Sequence, residues 1–356
     1  MAIRRETSEA IGALDTVLAD AGLKHRVRST RGGRWKSGER VRLPKNSAGQ
    51  VIVGGGRRAA GVVKIAAWEE FAWLRAGFST RQGGGSTAYS AGEVGEQNLG
   101  WTAEDVAAMV ADNRRRFLSA VAGKGTPELV TVRQFHSGMA RLVEPGAGPL
   151  STAEGKAVLR GDGLMTRESG MLLGVQTADC VPVLIADTRT RVVAAFHAGW
   201  RGTLARIVER GVGTMRMEFG SRPKDLVAAI GPSIGPCCFA VGEEVRSEFE
   251  SQFAYAPELF SEVYDSDAVR EKYPMLFLTA RAPGHSNIGP QIHLDLWEAN
   301  RGQLLDAGLR AKAISVVGEC TACARLKNGR RKYFSHRAEH GYTGRMLSVI
   351  GVAANR

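Results

Sequence analysis

Two imidazoles and one thiol stand where a folded chain could bring them onto a single metal ion. They are His136 in LVTVRQFHSG, Cys180 in GVQTADCVPVLIAD and His197 in VVAAFHAGWRGT. An apolar run delivers His136 to a Ser-Gly turn, Cys180 sits just before a second run, and His197 closes a third. Each is therefore expected at a strand end, where a ligand is held more firmly than on a loop. The interval from Cys180 to His197 accommodates a strand, a turn and a strand back, so the two side chains can face one another. Two imidazoles and a thiolate suit zinc, and three protein ligands leave a fourth position for water or substrate. Singly, each residue has a plainer account, since a buried cysteine usually packs and a lone histidine is usually satisfied in the core. Only the shared setting favours a catalytic centre.

Other patterns compete for attention. The interval Cys320-x2-Cys323-x12-His336-x3-His340 has the ligand spacing of a two-Cys, two-His zinc finger. A finger also needs a helix with an apolar core running into its histidines, and ARLKNGRRKYFS puts Lys, Asn and Gly there. Two strands joined by a basic turn over Lys327–Lys332 are expected instead. Cys237 and Cys238 are adjacent, which is awkward for joint chelation, so both are expected to pack. VIVGGGRRAAG over Val51–Gly61 offers G-x-G-x-x-A, but no helix and no acid-tipped strand follow, so a Gly-rich turn is expected.

The elements that must position these residues alternate in type. Short apolar runs at Leu129–Phe135, Met171–Val175, Val181–Ala186, Val192–Phe196, Val227–Ile230 and Ile314–Val317 read as buried strands. Helical spacing appears over Ser8–Leu23, Ala103–Val121, Thr203–Phe219, Val241–Phe253 and Leu294–Leu305, with Thr102 as the expected cap of the second. The class is mixed α and β. A domain boundary is expected near residue 65: residues 1–65 form a basic N-terminal extension, with an arm over Lys24–Gln50 that lacks periodicity, and residues 66–356 form the catalytic domain.

The chain of 356 residues is 44% hydrophobic, enough for a sizeable core, and its net charge of +12 would attract phosphates, nucleic acid or an acidic surface. Five cysteines, unevenly placed, are too few for a disulfide framework and indicate a reducing compartment. The N-terminus lacks the apolar stretch of a signal peptide, and no segment has the roughly 18 apolar residues of a membrane span, so a cytoplasmic protein is expected.

The strings GFSTRQGG, NLG, RQFHSG, DGLMT, QTADCVPVL, HAGWRGT, AIGPSIGPCCF, LDLWEANRGQLLDAG, ECTAC and FSHRAEHGYTGRM occur in the order of the YfiH, or laccase-domain, family, and residues 71–352 resemble it. The resemblance implies a layered α/β/β/α domain, of class α+β with mixed sheets. It implies zinc on His136, Cys180 and His197, phosphorolysis of purine nucleosides (adenosine, inosine and methylthioadenosine), and deamination of adenosine. An older reading of the family is copper-dependent oxidation of phenols. The family's FSYRR is FSHRA here, placing His336 for a Tyr and Ala338 for an Arg, and the span Phe253–Ile292 is longer than in compact relatives.

Phosphorolysis needs an anion held beside the ribose, and Arg81 in its Gly-rich segment, Arg201 and Arg345 are the expected phosphate-binding residues. Deamination needs a proton carrier, for which Asp179 is the candidate, with a backbone-accepting turn residue as the plainer account. Three rivals differ in class. Cys180 with His197 as base would make a thiol hydrolase. Copper would make a polyphenol oxidase, against which stand only 7 histidines in the chain. A nucleic-acid binder would use the basic arm, although Lys24–Lys45 holds one Trp and no stacking series. The preferred nucleoside and the oligomeric state are not legible in the sequence.

Overall fold

The computed structural model describes residues 26–28, 51–53, 59–90, 95–123, 127–144, 146, 150–264 and 291–354. They fall into two compact units. The smaller carries a four-stranded sheet ordered β1 (Arg26–Arg28), β13 (Phe260–Tyr264), β14 (Gln291–Leu294) and β12 (Ala240–Val241). Part of the expected arm, Arg26–Arg28, is thus a strand. The helix expected over Ser8–Leu23 lies outside the described residues.

The larger unit is built on two six-stranded sheets. The first is ordered β15 (Ile314–Val316), β11 (Leu226–Ile230), β9 (Val181–Asp187), β10 (Val193–Ala198), β7 (Gly163–Thr166) and β6 (Ala140–Leu142). The second is ordered β2 (Val51–Val53), β3 (Gly61–Val63), β4 (Leu74–Ser79), β16 (Met346–Val352), β8 (Met171–Thr177) and β5 (Glu128–Thr131). Both mix parallel and antiparallel pairs. Strands β2 and β3 lie before the boundary expected near residue 65 and pair toward β4, so this unit reaches upstream of that point. Their antiparallel pairing also puts a strand where a dinucleotide fingerprint would require a helix.

The main core lies between these sheets. Val130, Leu173, Val175 and Ile350 of the second sheet pack with Leu164, Leu184, Val193, Ala195 and Ala229 of the first. Every residue of β9 and β10 is buried, as expected for strands covered on both faces. The described helices are α1 (Ala107–Ala122), α2 (Trp200–Leu204), α3 (Ile207–Phe219), α4 (Glu243–Gln252), α5 (Ala256–Leu259) and α6 (Leu296–Asp306). Helix α1 covers the second sheet, packing Phe117 and Ala122 on Leu172, Leu347 and Val349. Helix α3 covers the first, where Gly211 lets it approach Phe196: a Cβ there would lie 2.2 Å from the ring. Helix α6 joins that layer, its Gln303 amide donating to the Thr203 carbonyl of α2 at 2.6 Å. The mixed-sheet α+β architecture is as expected.

Two helices differ from the pattern read in the sequence. The run over Thr203–Phe219 is two helices, because Arg206 is left-handed, with φ of 56°, between α2 and α3. Its guanidinium donates to Glu209 at 2.7 Å and to the Gln252 carbonyl at 2.6 Å, and lies over the Phe253 ring, contacts that hold the break open. Helix α1 starts later than expected, and Thr102 does not cap it. The Thr102 hydroxyl and Glu104 carboxylate accept instead from the Tyr89 phenol, at 2.5 and 3.0 Å.

Candidate metal centre and substrate cavity

The β9–β10 hairpin sets two of the three expected ligands side by side. Val181 pairs with Ala198 and Pro182 with His197, which places Cys180, just ahead of β9, beside the end of β10. His136 reaches the same point from a different direction. Strand β5 ends at Thr131, so His136 sits on a loop, with left-handed φ of 63°, and not at the strand end read from the sequence. The ligating atoms of His136, Cys180 and His197 all lie within 4.8 Å of one another. The two imidazole rings meet edge to face, with centroids 4.9 Å apart.

The loop is held by a residue that the sequence reading passed over. Asp162 is fully buried immediately before β7, a neighbour of β10 in the first sheet. Its Oδ1 accepts from the His136 backbone N–H at 3.0 Å and lies 2.8 Å from His197 Nδ1. Its Oδ2 accepts from the Ser137 N–H and hydroxyl, each at 2.7 Å, and from the Phe135 N–H at 3.3 Å. Burial would raise this carboxyl, but the His197 ring and the Ser137 donors bring it down to about 2, so it is ionised at neutral pH. An ionised Asp162 makes Nδ1 of His197 the protonated nitrogen and leaves Nε2 for a metal, the usual carboxylate–histidine arrangement of metal centres. The only sequence signal for it was the DGLMT string.

The electrostatics favour a ligating thiolate. Burial pushes the Cys180 thiol up, but His197 and His136 outweigh it and bring the value down to about 6. Burial likewise disfavours a charged His197, and the opposing Cys180 and Asp162 carry it up to about 9. Three donors of this kind, one a thiolate at neutral pH and one imidazole fixed by a carboxylate, fit a borderline-soft ion such as zinc. Gly199 completes the cradle, since a Cβ there would come within 2.9 Å of Cys180 Sγ and 3.1 Å of His136 Cδ2. Its φ of −65° suits any residue, so the demand is purely one of space. Gly199→Ala is expected to leave the fold intact and lower kcat/KM by about tenfold or more through displaced ligands, checked by circular dichroism beside steady-state kinetics.

The trio lies in the wall of a cavity of about 780 Å³, which is also lined by Trp101, Trp200 and Phe239 and, among the described residues, by five cations that include Arg133, Arg201 and Arg345. The Arg201 guanidinium stacks on the Trp200 ring at 4.2 Å. Arg345 spends Nη1 on the Thr343 and Gly344 carbonyls, at 2.8 and 3.0 Å. Arg81, in contrast, is buried away from this cavity. It donates to Glu96 at 2.6 Å, to Glu339 at 2.5 Å and to the Tyr89 carbonyl at 2.7 Å, with Phe334 beneath its guanidinium. With its nitrogens so engaged, Arg81 is a structural ion-pair hub and not the expected phosphate ligand. Arg81→Ala is expected to cost about 3–5 kcal/mol of stability while leaving the activity of the folded fraction unchanged, because it strands two carboxylates in the interior. Thermal unfolding and steady-state kinetics check the two halves.

Asp179 also lines the cavity, yet its carboxylate is committed. It accepts from the Thr321 hydroxyl at 2.6 Å and the Arg337 N–H at 2.7 Å, while its carbonyl accepts from the Ile234 N–H at 2.8 Å. With a φ of 95°, it braces the turn ahead of Cys180, which is the plainer of its two readings and not that of a free proton shuttle. The four other cysteines overturn a second expectation. Cys237 and Cys238 do not pack in the interior: Cys237 is exposed, and both stand with Cys320 and Cys323 so that the four sulfurs lie within 4.8 Å of one another. His336 and His340 join no such group, and His336 lines the cavity instead, so no finger forms.

Residues 75–353 match the family model described as multi-copper polyphenol oxidoreductase laccase. The chain is 34% identical over 282 residues to purine nucleoside phosphorylase YlmD of Geobacillus stearothermophilus, covering 79% of this chain and 91% of that protein. It is 34% identical over 249 residues to adenosine deaminase RL5 from an unknown prokaryotic organism, covering 69% and 84%. The crystal structure of YlmD from Geobacillus stearothermophilus superimposes with a TM-score of 0.66 at 30% identity, covering 86% of this chain and all of that one. Sequence match, shared architecture and a Cys/His cluster able to hold a metal converge: this chain is an enzyme of the YfiH-like, multi-copper polyphenol oxidoreductase laccase family.

Proposed function

We propose that the enzyme is a zinc-dependent purine nucleoside phosphorylase, cleaving adenosine, inosine or methylthioadenosine with phosphate to the free base and the sugar 1-phosphate, and that it also deaminates adenosine. The observation that carries this reading is the placement of His136, Cys180 and His197 together in the wall of a cavity lined by aromatic rings and by arginines. Relatives named for phosphorylase and deaminase activities support the substrate class. When bound, zinc would supply Lewis-acid polarisation of an oxygen or nitrogen on the reacting molecules.

The residues divide the remaining work. Trp101, Trp200 and Phe239 offer apolar faces for a purine and keep that part of the cavity dry. Arg201 and Arg345 offer donors to a phosphate, with Arg201 the freer of the two because its neighbour is a ring and not an acceptor. Asp162 fixes the metal-binding face of His197, and Asp179 fixes the turn that presents Cys180. For deamination, the His336 imidazole on the cavity wall takes the relay role that the committed Asp179 carboxylate does not fill.

Incubating metal-analysed enzyme with adenosine and phosphate, while following adenine, inosine, hypoxanthine and ribose 1-phosphate together, tests the proposal. Adenine with ribose 1-phosphate is expected, with a smaller flux to inosine. Absence of all four products above a Cys180→Ala control would remove the proposed function. A second reading has one observation behind it: the Cys180 sulfur and the His197 ring lie within 4.8 Å, and that proximity brings the thiol down to about 6 and the imidazole up to about 9, the pairing a thiol hydrolase would use. Activity that survives complete metal removal and is lost on thiol alkylation would establish that reading instead.

A further inference from the structure

The four cysteines outside the catalytic cavity form a group that the proposed reaction does not use. Cys237 and Cys238 lie on a tight turn closed by Cys238 N–H and Phe239 N–H donating to the Gly235 carbonyl, each at 3.0 Å. Cys320 and Cys323 lie on a second turn, closed by Ala324 N–H donating to the Cys320 carbonyl at 2.9 Å. A parallel bridge between Ser233 and Cys320 clasps the two turns, with Thr321 N–H donating to the Ser233 carbonyl at 3.0 Å. All four sulfurs then fall within 4.8 Å of one another, with Cys237 Sγ 3.6 Å from Cys323 Sγ across the two turns.

From these two clasped turns we infer a second metal centre, a tetrahedral four-thiolate zinc site on Cys237, Cys238, Cys320 and Cys323, distinct from the His136–Cys180–His197 centre. Four thiolates about 2.3 Å from one zinc stand about 3.8 Å apart, a spacing that falls within the 4.8 Å bound on the sulfurs and close to the 3.6 Å of Cys237 and Cys323. A multi-iron cluster would hold its thiolates further apart. The pairing of a Cys-x2-Cys turn with a second two-sulfur turn is the closed, water-free ligand set of a structural site, with no position left for substrate. Gly235 N–H also donates to Cys320 Sγ at 3.3 Å, the contact that stabilises a sulfur bearing negative charge. Four ionised thiols this close repel strongly, and a divalent cation relieves that repulsion while releasing their protons.

The site's position gives it a task. Ile234, beside the first turn, donates to the Asp179 carbonyl, and Thr321, within the second, donates to its carboxylate, which Arg337 N–H also holds; Asp179 precedes Cys180. The second ion is thus a clamp on the wall of the catalytic cavity and not a participant in its chemistry.

Elemental analysis of the full chain, purified with reductant and without chelator, tests this. About two zinc ions per chain are expected in the wild type, and about one in Cys180→Ala, which leaves all four clamp sulfurs in place. Replacing zinc by cobalt(II) in Cys180→Ala is expected to give the intense near-ultraviolet thiolate charge-transfer and visible bands of a tetrahedral four-sulfur site, lost in Cys323→Ser. Zinc below about 0.2 per chain in folded Cys180→Ala, with the four remaining thiols either freely reactive toward a disulfide reagent or silent until reduced, would overturn the proposal: the first outcome means free thiols and the second disulfides. Because the readout is metal content and spectrum, a failed clamp and a failed phosphorylase assignment are told apart.

Discussion

Cys180→Ala is expected to lower kcat/KM for adenosine phosphorolysis by about a thousandfold, equivalent to about 4 kcal/mol of transition-state stabilisation, and to release the catalytic metal. The size follows from geometry. His136 and His197 remain in place, but two imidazoles without the thiolate offer neither the charge nor the third donor that a divalent ion needs. Chelator-treated wild type should lose activity to a similar extent and recover it with zinc but not with copper, since no described group of ligands approaches the histidine-rich set of a multicopper centre. Steady-state kinetics alongside metal analysis of variant, chelated and reconstituted enzyme check both statements. Full activity in Cys180→Ala that has lost one metal ion per chain would exclude this centre from the reaction.

Asp162→Asn is the second large effect, and the amide cannot escape it by rotating. One carboxylate oxygen faces His136 N–H and His197 Nδ1, while the other faces the Ser137 N–H and hydroxyl and the Phe135 N–H. Whichever way Asn is turned, its NH2 group confronts backbone donors. The loop bearing His136 loses an anchor, and His197 loses the anion that fixes its tautomer. A fall of about 10–100-fold in zinc affinity is expected, with kcat/KM at subsaturating metal falling in proportion. Competition against a chromophoric chelator reads the affinity directly. An unchanged affinity would show that Asp162 serves the fold alone.

How much of this was legible in the sequence depends on the range of the interactions. The β9–β10 pairing was readable because an apolar run, a turn and a second run fit between Cys180 and His197, and register did the rest. Asp162 was not, because its function arises from β7 lying beside β10, and nothing in DGLMT announces that neighbour. Arg81 misled for a related reason: a Gly-rich stretch that resembles an anion cradle is also what a buried guanidinium needs for close backbone approach, and the burial of Glu96 beside it decides between the two. The four-cysteine group is split between turns far apart in the chain, so spacing rules applied to Cys320 and Cys323 alone pointed to the wrong histidines.

The topology of the His136–Cys180–His197 trio also bears on the order in which it assembles. Cys180 and His197 belong to one antiparallel hairpin, and hairpins close on the scale of about 1–10 μs, before most long-range pairings. His136 arrives only when parallel β5 has joined β8 and the loop beyond it has found Asp162. In the refolding of the full chain, a two-ligand half-site on the hairpin is therefore expected to form before His136 is secured as the third ligand. Metal present during refolding should then speed the last step, in which His136 is secured, and leave the formation of the hairpin unchanged.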